Sequence, residues 1–181
     1  MRYVALLRGI NVGGKNKVEM ARLRATFTRV GADHVSTYIA SGNVVFTHSL
    51  PAETLAGVLE GAIEEDFELS IDVLLRDEPA ISAIAAAIPS TWTNDETMRT
   101  DVLFLWDHVD SKEVVDQLPA RDGIDEVEYA PGAIIWRIDR ENLTKSGKGR
   151  LAGTDLYKAM TMRNCNTVRK LATMLDQLPA G

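Results

Sequence analysis

Apolar positions switch between two spacings along the 181-residue chain, and the switches mark out its elements. Tyr3 to Leu7 is an unbroken apolar run closed by Arg8-Gly9, which predicts a buried strand. Met20, Leu23, Phe27 and Val30 then recur at helical spacing, with Arg22, Arg24 and Arg29 on other faces and Gly31 just past the end. Val35 to Ala40 and Val44 to Thr47 predict two strands around the tight turn Ser41-Gly42-Asn43. A connection that short cannot join parallel strands, so the pair is antiparallel. Leu55, Val58, Leu59, Ala62, Ile63 and Phe67 predict a second amphipathic helix, and Ile71, Val73 and Leu75 a fourth strand. Residues 2–76 thus spell β-α-β-β-α-β, the order of a ferredoxin-like sandwich.

An alanine-rich helix follows, with Ile81, Ile84, Ala85 and Ile88 on one face, and then Pro89 to Asn94 reads as a linker. The pattern begins again beyond it. Asp101 to Trp106 predicts a strand, Lys112 to Leu118 a short helix, and Val127 to Ala130 with Ala133 to Ile138 a strand pair around Pro131-Gly132. Ala40-Ser41-Gly42-Asn43-Val44-Val45-Phe46 aligns with Ala130-Pro131-Gly132-Ala133-Ile134-Ile135-Trp136 at an offset of ninety residues, a weak internal repeat. Lys145 to Arg150 reads as a loop, Leu156 to Met160 as a short helix, and Val168, Leu171, Ala172 and Leu175 as the core face of a last helix capped by Asn164 or Asn166. The expected fold class is α/β (α+β), with repeated ferredoxin-like β-α-β-β units and a helical C-terminal segment. Its expected parts are a ferredoxin-like unit at 1–76, a helix and linker at 77–100, and a second β-α-β-β unit with C-terminal helices at 101–181, packed as one compact body.

Charge changes this picture. The net charge of −6 conceals seven Arg or Lys against one acid in residues 1–30, and eight against two in residues 140–171. Residues 51–139 carry five against twenty-one. Basic ends around an acidic middle suit a small anionic partner, and the net charge disfavours nucleic acid without closing off the basic face. One cysteine excludes an intrachain disulfide framework, and His34, His48 and His108 lack metal-ligand spacing and read as surface or loop residues. The five apolar residues before Arg8 are too few for a signal-peptide core, and no run approaches the length of a membrane span, so the expected location is cytoplasmic, with no membrane partner.

The chemistry gathers in Gly9-Ile10-Asn11-Val12-Gly13-Gly14-Lys15-Asn16-Lys17. Glycines let backbone N–H groups approach an anion, and the lysines supply charge. The loop falls one residue short of the phosphate-loop pattern, with Asn16 where a magnesium-binding hydroxyl belongs. The late helix start at Met20 and the antiparallel hairpin also argue against a nucleotide hydrolase. Cys165, beside Arg163 at a helix start, is better read as a small buried hydrophobe than as a nucleophile. Trp92, Trp106 and Trp136 read as core.

Three stretches together resemble the hallmark blocks of the domain of unknown function 1697 family: Ala5 to Asn16, Tyr38 to Phe46, and Arg163 to Leu171. The resemblance implies a small, mostly bacterial protein with an α/β fold of repeated ferredoxin-like units and no assigned activity. Cys165 departs from it, standing where the family usually shows tryptophan. From the residues themselves, the blocks 8–17, 41–43 and 163–170 are expected to converge on a basic, amide-rich pocket for a phosphate- or carboxylate-bearing small molecule. Arg8, Lys15 and Lys17 would recognise charge, and Asn11, Ser41 and Asn43 would orient the ligand over Gly13 and Gly14. Arg163, Asn164, Asn166, Thr167 and Arg169 would add a second anion contact at the last helix. In a ferredoxin-like unit the first loop and the hairpin are expected at opposite ends of the sheet, so convergence needs a bend. A nucleic-acid-binding face, a structural or interaction module and an enzyme of unidentified reaction are the alternatives, and the sequence names neither a reaction nor a cofactor.

Overall fold

A computed structural model of the chain describes residues 1–179, which form two compact units. The first comprises Met1–Ile81 and the segment from Leu171 onward, and the second comprises Ser82–Lys170. The division falls inside a helix, α3 (Glu78–Ala87).

In the first unit β1 (Arg2–Leu7), β2 (Asp33–Tyr38), β3 (Asn43–Thr47) and β4 (Val73–Asp77) form an antiparallel sheet ordered β2-β3-β1-β4. Helices α1 (Met20–Arg29) and α2 (Ala52–Phe67) supply the predicted apolar faces. Tyr3, Ala5, Leu7, Val44, Phe46 and Val73 pack with Leu23, Phe27, Leu55 and Leu59 in one core. The rings of Phe27 and Phe46 meet edge to face, their centroids 5.1 Å apart. Arg2 clasps both carboxylate oxygens of Glu78 at 2.8 and 2.9 Å and donates through Nε to the carbonyl of Pro179.

One expectation about the ends of this sheet is wrong. β1 runs antiparallel to its neighbour β3, with Leu6 opposite Asn43, so the C-terminal end of β1 and the start of β3 lie side by side. The loop after β1 and the β2–β3 turn therefore share one end of the sheet, and no bend is needed to bring them together.

The second unit builds an antiparallel sheet ordered β6-β7-β5-β8 from β5 (Met98–Leu105), β6 (Asp125–Ala130), β7 (Ala133–Asp139) and β8 (Met160–Asn164). Each sheet thus places its second, third, first and fourth strands in the same order. The repeated hairpin is used alike in both: Leu7 N–H donates to Gly42 O and Leu105 N–H to Gly132 O, each at 2.9 Å. Gly42 and Gly132 both have positive φ, at 76° and 86°.

The expected helix at 112–118 is a 3-10 segment, Lys112–Gln117, and Arg140–Asn142 forms another. The loop expected at 145–150 contains a single helical turn, α4 (Lys148–Leu151), followed by α5 (Asp155–Lys158). Strand β8 replaces the expected run from a short helix into the last helix, α6 (Cys165–Asp176). Leu103, Leu105, Ile134, Trp136, Val114 and Leu151 share this unit's core. No helix of the described residues is long and apolar enough to cross a membrane.

Candidate functional site

The loop between β1 and α1 is held by its own amides. Asn11 has φ 54°, a left-handed conformation that asparagine tolerates because its short side chain bonds locally. Its Nδ2 donates to the carbonyls of Val18 (3.0 Å) and Ala40 (2.8 Å), while Oδ1 accepts from Val18 N–H (2.9 Å). Asn16, also left-handed at φ 49°, donates through Nδ2 to Gly9 O at 3.0 Å. Its carbonyl accepts the Asn11 N–H at 3.0 Å, and Lys15 N–H donates to Val12 O at the same distance. Both asparagines shape the loop, and the Asn11–Ala40 bond ties it to the turn between β2 and β3.

Gly42 makes that attachment close. A Cβ there would stand 2.8 Å from Leu7 Cβ and 2.9 Å from Ile10 Cδ1, while φ of 76° is itself strained for a side chain. Asn43 is fully buried and donates to Tyr38 O (3.0 Å) and Ser41 Oγ (2.9 Å). Asn43 and Ser41 thus close the turn from within. Ile39 sits in the turn at φ 50° with 52% of its surface exposed, a costly backbone for a β-branched residue.

A cleft of about 520 Å³ lies against this loop, lined by Asn11, Gly14, Lys17, Val18, Glu19, Arg22 and Phe67. The Arg22 guanidinium stands 4.8 Å over the Phe67 ring and donates to the carbonyl of Asp66. Gly13 and Gly14 have φ of 59° and 77°, and nothing lies within 4 Å of where their Cβ atoms would stand. Of the expected residues, Asn11, Gly14 and Lys17 line the cleft; Arg8, Gly13, Lys15, Ser41 and Asn43 do not. Arg8 is half-buried at the end of β1, where its N–H donates to Asp72 O at 3.0 Å, and Lys15 is exposed at the loop tip. Sequence reasoning missed Arg22 and Phe67. The available signal was that Arg22 lies off the apolar stripe in the first turn of its helix; Phe67 fits the stripe of its own helix and carries no such mark.

The C-terminal block serves its own surroundings. Arg163 is 8% exposed, with Nη1 donating to Thr161 Oγ1 (3.0 Å) and Met162 O (2.8 Å), and burial pulls its pKa down to about 10. Asn164 Oδ1 accepts from the N–H of buried Thr167 at 2.9 Å, capping α6 as expected. Exposed Asn166 donates to Asn94 O at 3.0 Å. Arg169 Nη2 clamps the carbonyls of Pro89 (3.2 Å) and Trp92 (3.1 Å), and Nη1 meets the Cys165 sulfur at 3.7 Å. Burial raises the Cys165 pKa against the pull of Arg169, which suits a packed thiol rather than a nucleophile.

His48 corrects the surface reading. It is 7% exposed, with Nε2 3.1 Å from Val30 O and Nδ1 accepting from Leu50 N–H at 3.0 Å. Among the described residues no group of three His, Cys, Asp or Glu side chains could hold a metal ion.

The comparisons with known proteins agree with this architecture. The conserved bacterial protein SP0830 from Streptococcus pneumoniae has a solved structure that is 31% identical, with a TM-score of 0.83 over 96% of this chain and 98% of its own. No curated protein matches the sequence. A family model described as "Protein of unknown function (DUF1697)" matches residues 1–136, which contain the anchored loop, its turn and the whole cleft, and the chain belongs to that family.

Proposed function

We propose that the chain binds a small phosphate- or carboxylate-bearing molecule in the first-unit cleft. The observation that carries this reading is the wall itself: Lys17 and Arg22 with the acid Glu19, beside a glycine backbone open to close approach. The Phe67 ring and the Asp66 carbonyl hold the guanidinium in place, so less side-chain freedom is lost when it bonds a ligand. The site is thereby narrower than the three-block pocket. Arg163 and Arg169 are engaged with carbonyls of the second unit, whereas Lys17 is exposed. The two sheets are read as a pair of ferredoxin-like units, supported by their shared strand order and equivalent hairpin bonds.

A thermal-shift screen tests the function, using phosphate, pyrophosphate, sugar phosphates, nucleotides, citrate and short RNA at two salt concentrations. A small anion that binds the native state raises the melting temperature, and Lys17→Ala or Arg22→Ala removes the rise. A steep loss with salt, seen only with RNA, transfers the site to polyanion binding along the basic face. No shift with any anion refutes the reading.

A further inference from the structure

A second concave site lies wholly within the second unit, and its chemistry differs from the first. Asp101 on β5 is 4% exposed, yet its Oδ2 receives two cations: Arg99 Nε at 2.7 Å and the ammonium of Lys148. The Lys148 side chain is only 10% exposed, and both cations line a cavity of about 270 Å³. The rest of its wall is largely apolar, including Ile138, Leu143, Leu151 and Met162, with the Tyr157 phenol ring beside them.

Lys148 is held in place by a built support. The carboxylate of Asp125 accepts from Ser146 Oγ, from Gly147 N–H at 2.9 Å, from Arg121 N–H at 2.8 Å and from Trp136 Nε1 at 3.0 Å. Ser146 Oγ in turn accepts the Lys148 N–H at 3.0 Å. Gly147 permits the approach, because a Cβ there would fall 1.5 Å from the carbonyl oxygen of Pro119.

Arg99 and Lys148 share the Asp101 carboxylate beside an apolar cavity, and the Asp125 carboxylate also acts on Lys148. Burial lowers the Lys148 pKa against the upward pull of Asp101, with Arg99 adding to the lowering. Because both nitrogens bond the same oxygen, they lie within about 6 Å of each other, the sum of two hydrogen-bond lengths. That spacing suits adjacent carboxylate and carbonyl groups.

We propose that this cavity binds a small 2-oxo acid with an apolar tail, its carboxylate on Arg99 and its C2 carbonyl captured by Lys148 as an imine. Lys148 gives one proton to Asp101, the neutral amine adds to C2, and one proton passes from its nitrogen to the former carbonyl oxygen, giving a carbinolamine. Asp101 then returns the proton to the departing hydroxyl, so one water leaves and the C=N bond is protonated. Ammonium and carbonyl thus become iminium and water, with no oxidant or reductant.

The test is reductive trapping of the full chain with pyruvate or 4-methyl-2-oxopentanoate and cyanoborohydride, read by intact mass and peptide mapping. The expected result is one reduced adduct on Lys148, formed about tenfold faster than on the exposed lysines. Lys148→Arg keeps the cation beside Asp101 and abolishes that adduct. Arg99→Gln slows trapping of the oxo acid about tenfold, the effect of one lost charge-assisted contact, but leaves trapping of isovaleraldehyde unchanged. Circular dichroism confirms that both variants are folded. Adducts spread evenly over all lysines, or an unchanged mass gain in Lys148→Arg, overturn the proposal.

Discussion

Replacing Gly147 by alanine tests the support beneath Lys148. Gly147 has φ −71° and ψ −17°, values any residue adopts, so the substitution carries no dihedral strain. Its cost comes from overlap: the new Cβ would lie 1.5 Å from Pro119 O and 2.6 Å from Pro119 C, both backbone atoms that no rotamer change can move. Relieving such overpacking costs about 1–3 kcal/mol. Displacing the residue also stretches the bond from its N–H to the Asp125 carboxylate, and a hydrogen bond to a charged group contributes about 1.5–3 kcal/mol. The expected destabilisation is therefore about 2.5–6 kcal/mol. Gly149 is the matched control, two residues on in α4 with nothing within 4 Å of its Cβ position. Alanine there gains up to about 1 kcal/mol through the reduced freedom of the unfolded chain. Urea unfolding followed by tryptophan fluorescence, to which Trp136 in the core of the same unit contributes, reads both variants. A Gly147→Ala midpoint indistinguishable from that of Gly149→Ala would refute the packing described for this support.

Three further outcomes follow from the same geometry. Gly42→Ala meets Leu7 and Ile10 at under 3 Å from a left-handed backbone and should cost about 2–4 kcal/mol by urea unfolding, combining overpacking with dihedral strain. Asn11→Ala strips the Val18 N–H and the Ala40 carbonyl of their partners, so a loss of about 1–3 kcal/mol is expected, with faster amide exchange at Val18. For Asp125, burial raises the pKa, but the donors from Ser146, Gly147, Trp136 and Arg121 outweigh it, and the net shift is downward. A depressed carboxylate contributes stability that is fully present above its unfolded value of about 3.9 and lost as pH falls through the folded value. Asp125→Asn should therefore flatten the acid limb of the stability profile measured by urea titration, and an unchanged limb contradicts the assignment.

Most of the first unit was legible because its strands and helices keep clean apolar periods, and the glycine-bearing turn aligns with its counterpart near Gly132. Strand β8 was not. Met160 to Asn164 passes directly into α6 with no turn residue between, and its pairing with β5, Asp101 opposite Asn164, is a long-range choice that local periodicity does not encode. The shared end of the sheet was misjudged although the antiparallel pairing of β1 with β3 dictates it. Asn11 and Asn43 were recognised as special for a sound reason, uncharged polar groups among glycines, yet carbonyls of their own loop and turn take up their amide donors. The same ambiguity hid Lys148 and Asp101. A lysine in a glycine-rich loop and an aspartate at the start of an apolar run give no sign in sequence that they meet across forty-seven residues.

The most direct measurement for the central reading is an amide-resolved NMR titration of the labelled chain with pyrophosphate at two salt concentrations. Saturable shifts confined to Gly13, Gly14, Lys17, Glu19, Arg22 and Phe67, and abolished in Lys17→Ala, are the predicted result. Shifts absent from these amides, or spread over every basic segment and erased by salt, would contradict a small-anion site in the first-unit cleft.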